Sequence, residues 1–151
     1  NNLPADGTAI IPAAEKELVY PEGVFKLNDT KVIYAKQGTS YLSIAKQYDV
    51  DYSKIFEYNE IKEKEAVEKD QLVFLQKKNK TGNAEYHLVK EGETLYDISQ
   101  AEAIRLEQLL ELNNLKSGDI PMAGERLNLK NKALVAPRLA GNNYSSRSPQ
   151  P

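Results

Sequence analysis

Apolar residues recur along this chain at helical spacing, in stretches that come in pairs. Tyr41, Ile44, Ala45 and Tyr48 fall at i, i+3, i+4 and i+7, the stripe that one helical face presents to a core. Tyr52, Ile55, Phe56 and Asn59 repeat that spacing, and so do Leu106, Leu109, Leu110 and Asn113. Short β-prone runs flank these stretches: Lys31–Tyr34 and Val73–Leu75 in the first half, Tyr86–Val89 and Leu127–Leu129 in the second. Thr94 opens a helix after the turn Glu91-Gly92-Glu93, with Asp97 three residues on as its capping-box partner. In the first half Ser40 holds the capping position, and Ser43 stands in place of the acid. The pattern predicts strand, helix, helix, strand, written twice.

The two halves match residue by residue. Residues 86–129 lie on 32–75 without a gap at an offset of 54, which places Gly92 on Gly38, Ile98 on Ile44 and Asn113 on Asn59. A repeat of roughly 45 residues is one supersecondary unit. The predicted fold is α+β: two small βααβ units in tandem, each with its strands paired and both helices over one face. The first unit spans 32–75 and the second 86–130, joined by a polar linker over 76–85 that contains Gly82. Residues 1–31 read as an N-terminal arm, in which Val24–Leu27 can add a strand through a hairpin turn at Asn28-Asp29. Residues 131–151 read as a tail with no core-forming pattern. Asn59 and Asn113 stand where the helical period calls for an apolar residue. A buried side-chain amide costs about 1–3 kcal/mol if unpaired, so each is read as satisfying backbone groups where its helix ends.

Composition narrows the function. The chain is 40% hydrophobic, enough to fold, yet each unit is small, and domains of ~60 residues bury only about 60% of their unfolded surface. Without cysteine, no disulfide supports them. Net charge is −2, with both signs interspersed, which weighs against nucleic acid and anionic membranes as partners. No apolar stretch approaches the roughly 18–20 residues of a membrane span. The chain begins at Asn1 without an initiator methionine or signal-peptide pattern, and reads as a piece of something longer. The single histidine, His87, lies in a strand at the position of Ile33 and reads as a surface or pairing group rather than a catalytic base. No carboxylate pair recurs as glycoside hydrolysis would need, and one histidine without cysteine is a poor metal-ligand supply. Neither catalytic residue nor cofactor nor metal is predicted. Three glycosylation sequons, beginning at Asn28, Asn79 and Asn143, read as chance in an asparagine-rich chain.

The run Tyr86-His87-Leu88-Val89-Lys90-Glu91-Gly92-Glu93-Thr94-Leu95-Tyr96-Asp97-Ile98-Ser99 resembles the opening of a LysM domain. Leu112-Asn113-Asn114-Leu115 and Gly124–Leu129 fall where that family has its asparagine and its closing strand. The first unit is the more divergent copy: Thr39-Ser40-Tyr41 replaces an acidic-Thr-Leu run, and Asp70 replaces the late glycine. The resemblance implies a βααβ fold and binding of N-acetylglucosamine oligomers, as in peptidoglycan or chitin. It places the sugar in a shallow groove between the loop after strand one and the loop after helix two. In the second unit these walls are Gly92, Glu93, Thr94 and Leu95 against Leu115, Ile120, Pro121 and Met122, with Tyr96 able to flank the sugar or shield core. The first unit offers Gly38, Thr39, Ser40, Tyr41 and Ile61. Its second loop, Lys62–Glu65, reads as a solvated charge run or an extra helical turn, so the first unit is expected to bind more weakly or not at all. The pairing of units and the lead-in from Val24 also resemble the C-terminal part of bacterial cell-wall glucosaminidases. That implies a catalytic domain upstream in the full-length chain and a secreted or cell-envelope location. The competing reading is a structural or protein-interaction module of the same fold with its groove lost.

Overall fold

A computed structural model describes residues 19–141. Residues 1–18 of the arm and 142–151 of the tail, with the sequon at Asn143, lie outside the described residues. The first unit contains β1 (Phe25–Leu27), β2 (Thr30–Ala35), α1 (Tyr41–Tyr48), α2 (Tyr52–Asn59) and β3 (Gln71–Phe74). The second contains β4 (Tyr86–Leu88), α3 (Leu95–Ala101), α4 (Leu106–Leu112) and β5 (Arg126–Asn128). Both are βααβ units, and the first carries the extra strand β1. Asn28 and Asp29, at φ 49° and 60°, make the tight turn that pairs Leu27 with Thr30. Two left-handed residues in a two-residue loop are the signature of the hairpin turns that match strand twist.

Strand burial shows how the units meet. Successive strand residues face opposite sides of a sheet, yet Val32 and Ile33 are both buried. Ile33 enters the first unit's own core with Tyr41, Ile44, Ile55, Phe56 and Val73. Val32, on the other face, joins Leu72, Phe74 and the second unit's Ala103 under Tyr20, Phe25, Leu27 and Tyr58. The first sheet is thus covered on both sides, once by its own helices and once at the join. The second unit has a separate core of Val89, Leu95, Ile98, Ile104, Leu109, Leu115, Leu127 and Leu129.

The two asparagines do the same work in each unit. Asn59 Nδ2 donates to the carbonyls of Ile55 (2.7 Å) and Phe74 (2.9 Å), while its Oδ1 accepts from Phe74 N–H (2.7 Å). Asn113 Nδ2 donates to Leu109 (2.9 Å) and Asn128 (2.9 Å), and its Oδ1 accepts from Asn128 N–H (2.7 Å). Each amide closes the end of the second helix and fastens it to the closing strand.

Polar groups line the join. Tyr96 Oη donates to Asn59 O (2.7 Å) and Gln100 Nε2 to Asn59 Oδ1 (3.1 Å). Lys78, 1% exposed, donates to Glu60 Oε1 (2.7 Å) and Gln100 Oε1 (2.6 Å). Burial pulls its pKa below the usual lysine range against the opposing pull of Glu60. The connecting segment is therefore a packed wedge and not a free tether. Arg105 Nε donates to Lys78 O (2.7 Å), Arg105 N–H to Asn79 O (2.9 Å), and Gly82 N–H to Leu129 O (2.7 Å). Gly82 lies so close that a Cβ there would stand 2.8 Å from Leu129 Cβ. Asn28 and Asn79, each heading a sequon, have their amides in the join: Asn28 Nδ2 on Thr81 O and Ala103 O, Asn79 Nδ2 on Asn28 O.

Asn113→Ala should cost about 2–4 kcal/mol, because it leaves a buried N–H and two carbonyls short of partners. Asn59→Ala should cost more, since the bond from Gln100 Nε2 is lost as well. Urea unfolding followed by circular dichroism should show one transition for the whole chain. Equal losses for the two variants, or two separated transitions, would contradict this coupling.

Candidate functional site

In the first unit the two loops that could form a groove are bonded to one another. Gly38 N–H donates to Val67 O (2.8 Å), Val67 N–H to Thr39 O (2.9 Å), and Tyr41 N–H to Glu65 O (3.0 Å). Ser40 and Ala66 make the antiparallel bridge between these segments. The side chains are engaged too. Ser40 Oγ accepts from Ser43 N–H (3.2 Å), Thr39 Oγ1 donates to Lys36 O (2.7 Å), Tyr41 is 1% exposed in the core, and Ile61 packs against that core. Lys62–Glu65 adds no helical turn; the segment runs on to lie along Thr39–Tyr41. The structure brings Gly38, Thr39, Ser40 and Tyr41 together, and pairs Gly38 N–H, Thr39 O and Tyr41 N–H with the opposite loop.

The second unit differs at the same positions. At the offset of 54, Pro121 stands where Val67 stands, and proline has no N–H to donate. Among the described residues, the N–H groups of Gly92 and Leu95 and the carbonyl of Glu93 have no hydrogen-bond partner. Gly92 holds a φ of +83° with nothing within 4 Å of an added Cβ, and in this it matches Gly38 at +89°. Across the gap Ile120 is 55% exposed, Met122 is half-buried and Pro121 is buried. The second unit thus carries two donors and one acceptor of unpaired main chain on the loop after β4 and exposed aliphatic surface on the loop after α4, the two walls of the expected notch.

Several predicted side chains serve other ends. Leu95 and Leu115 are buried in the second core, so they offer the notch only main chain. Thr94 Oγ1 accepts from Asp97 N–H and Asp97 Oδ2 from Thr94 N–H, both at 3.0 Å, completing the capping box. Tyr96 turns to the join, where burial raises its pKa. Glu93 is held by Lys90 N–H (2.8 Å) and His87 Nε2 (3.0 Å).

His87 is not at the surface. It is 9% exposed, with Nδ1 2.6 Å from Glu102 Oε2 and Nε2 on Glu93. The reason is a carboxylate on each side, at Glu93 before α3 and Glu102 after it, which a sequence pattern of strands and helices does not reveal. Burial pulls the imidazole pKa down, but the bonds to Glu102 and Glu93 and their charges outweigh it, and the pKa is raised above 6.5.

The tail also has a place. Residues 138–140 lie along the outer edge of the notch wall: Met122 N–H donates to Arg138 O (2.8 Å) and Ala140 N–H to Ile120 O (2.7 Å). Arg138 N–H and Nε both reach the Glu125 carboxylate at 2.9 Å, and Leu139 packs on the second core. Those bonds hold the Glu125 carboxyl below its usual range. Neither Arg138 nor Lys78 carried a signal in the sequence, because each sits in a polar segment. Among the described residues no cluster of three or more His, Asp or Glu could hold a metal, and no helix is long and apolar enough to cross a membrane.

The LysM domain model matches residues 33–71 and 87–130. Among curated proteins, none matches this chain. Solved structures similar to parts of it include the spore cortex-lytic enzyme SleL of Bacillus cereus, 24% identical over 68% of this chain with a TM-score of 0.30. SleL of Bacillus megaterium QM B1551 is also 24% identical, over 66% of the chain with a TM-score of 0.30. The chain spans 23% and 22% of the lengths of those two enzymes.

With its folded-state pKa above 6.5, His87 contributes stability that is complete below pH 6.5 and is lost as pH rises through the raised value. Urea midpoints measured from mildly acidic to mildly alkaline pH should fall across that window in the native chain and stay flatter in His87→Gln. An equal fall in both would remove His87 as the cause.

Proposed function

The chain belongs to the LysM domain family, and from that premise we propose that it is a glycan-binding module whose working groove lies in the second unit. The observation that carries this reading is the unpaired main chain of Gly92, Leu95 and Glu93 on one loop together with the exposed aliphatic side chain of Ile120 on the other. Gly92 is exposed and its N–H is open to solvent or ligand, whereas Glu93 is half-buried and Leu95 buried, where main-chain groups are normally paired. An N-acetyl group supplies what these lack: a carbonyl to accept from the N–H groups, an N–H to donate to Glu93 O, and a methyl for Ile120 and Met122. The sugar is neutral, in keeping with a notch that presents main chain and aliphatic carbon rather than a field of one charge. Peptidoglycan fits this chemistry, and chitin shares it.

The first unit suits the competing reading, a structural module. Its corresponding groups bond to one another, and it supplies Asn59 and Glu60 to the join. We read the pair as one binding unit and one buttress, serving to hold a larger cell-envelope protein on its glycan. A glucosaminidase-type peptidoglycan hydrolase is the parent that the sequence resemblance favours.

Gly38 and Gly92, at φ +89° and +83°, carry the same backbone strain if replaced, about 1–3 kcal/mol. Gly92→Val should lose N-acetylglucosamine-oligomer binding at least tenfold in calorimetric titration, whereas Gly38→Val should bind as the native chain does. Loss in Gly38→Val alone, or equal loss in both, would move the site or divide it between the units.

A further inference from the structure

We infer that Pro121 helps to keep the second groove open, by withholding one of the three N–H groups that zip the first groove shut. This rests on the glycan-binding reading above, and its structural half stands apart from it. The two units are one backbone design. In the first, the segment Glu65–Val67 pairs with Gly38–Tyr41 through three main-chain bonds, two of them on Val67: its N–H to Thr39 O and its carbonyl from Gly38 N–H. Residue 121 is the counterpart of residue 67, and it is the only one of these positions whose replacement removes a backbone donor.

The neighbouring residues show which way position 121 faces. Ile120 O and Met122 N–H both bond outward to the 138–140 strap. In an extended segment the main-chain groups of alternate residues point to opposite edges. The main chain of residue 121 therefore points inward, to Gly92 and Glu93, as that of Val67 points to Gly38 and Thr39. Without a donor there, Glu93 O is left for another N–H; Gly92 N–H is unpaired as well, although Pro121 keeps the carbonyl that corresponds to its partner in the first unit. The strap occupies the outer edge alone, so the inner edge is the one that a ligand can take. Pro121 is a specificity-determining residue of the groove: it reserves a carbonyl for the amide N–H of an N-acetylated sugar.

The direct test is Pro121→Val in the full chain, since valine is what the other unit carries and the outward bonds of Ile120 and Met122 do not involve residue 121. Amide hydrogen exchange by NMR should show Gly92 fast in the native chain and at least tenfold slower in Pro121→Val, matching Gly38. Titration with N-acetylglucosamine oligomers should show at least a tenfold loss of affinity in the same variant. Val67→Pro is the reverse change, and should speed Gly38 exchange at least tenfold. Gly92 remaining fast in folded Pro121→Val would overturn the inference, and so would a slowed Gly92 with unchanged affinity. If the native chain bound no oligomer at all, the glycan reading would fail, while the exchange contrast would still decide whether Pro121 sets the open edge.

Discussion

The side-chain amide at the end of the second helix is the constraint on which each unit depends. A βααβ unit this small must bring its last helix back onto its last strand, and the turn between them leaves carbonyls of the helix end unpaired. Asn59 and Asn113 answer with one donor group shared between the helix and the strand and one acceptor for the strand N–H. An apolar residue would satisfy the helical stripe and leave those groups dry. Because the amide bonds span fifteen residues in both units, they also fix how far the intervening loop can stray, and that loop forms one wall of each groove.

The same amide then ties the units together. Asn59 Oδ1 accepts from Gln100 while its own carbonyl accepts from Tyr96, so the second unit's first helix rests on the first unit's clamp. Beside it, Lys78 is a buried cation joined to Glu60 and Gln100. Burying an ion pair is weak support for stability in itself, but breaking one partner leaves an uncompensated charge. The join is polar at its centre and apolar at its flank, where Val32, Leu72 and Phe74 meet Ala103. Two cores that are each marginal gain a third, shared one.

Much of this was legible in the sequence because it is local or periodic. The four helices, the capping box at Thr94, the hairpin at Asn28-Asp29 and the backbone role of both asparagines follow from spacing and residue chemistry. The expectation that the first unit binds sugar weakly or not at all came from its altered turn and charged second loop, and neither pattern showed that its two loops bond to each other. Lys62–Glu65 reads as charge, and nothing in side-chain pattern says that its backbone will pair with Thr39–Tyr41. The join was hidden for a related reason: Lys78 and Gln100 are polar residues buried by partners distant in sequence, and polarity argues for the surface until those partners are known. Two consecutive apolar residues in β2, Val32 and Ile33, carried the one sequence sign that a second layer covers the first sheet. Tyr96 was open in the sequence to flanking a sugar or shielding core, and what the pattern did not show is that its hydroxyl bonds to the neighbouring unit.

Duplication gives a fold two copies of every edge, and main-chain accounting then separates their fates. A backbone N–H or carbonyl at the rim of a groove has three possible partners: the opposite wall, solvent, or a ligand. The first unit takes the opposite wall, gaining closure and the rigidity that a buttress needs. The second lacks those bonds: Pro121 has no N–H for Glu93 O, and the strap of residues 138–140 bonds to Ile120 and Met122 on the other edge. On the proposed reading, a binding site of this kind needs no special side chain. It arises where a fold's own hydrogen-bonding scheme is left one bond incomplete, and the missing bond defines the chemistry of what can fill it.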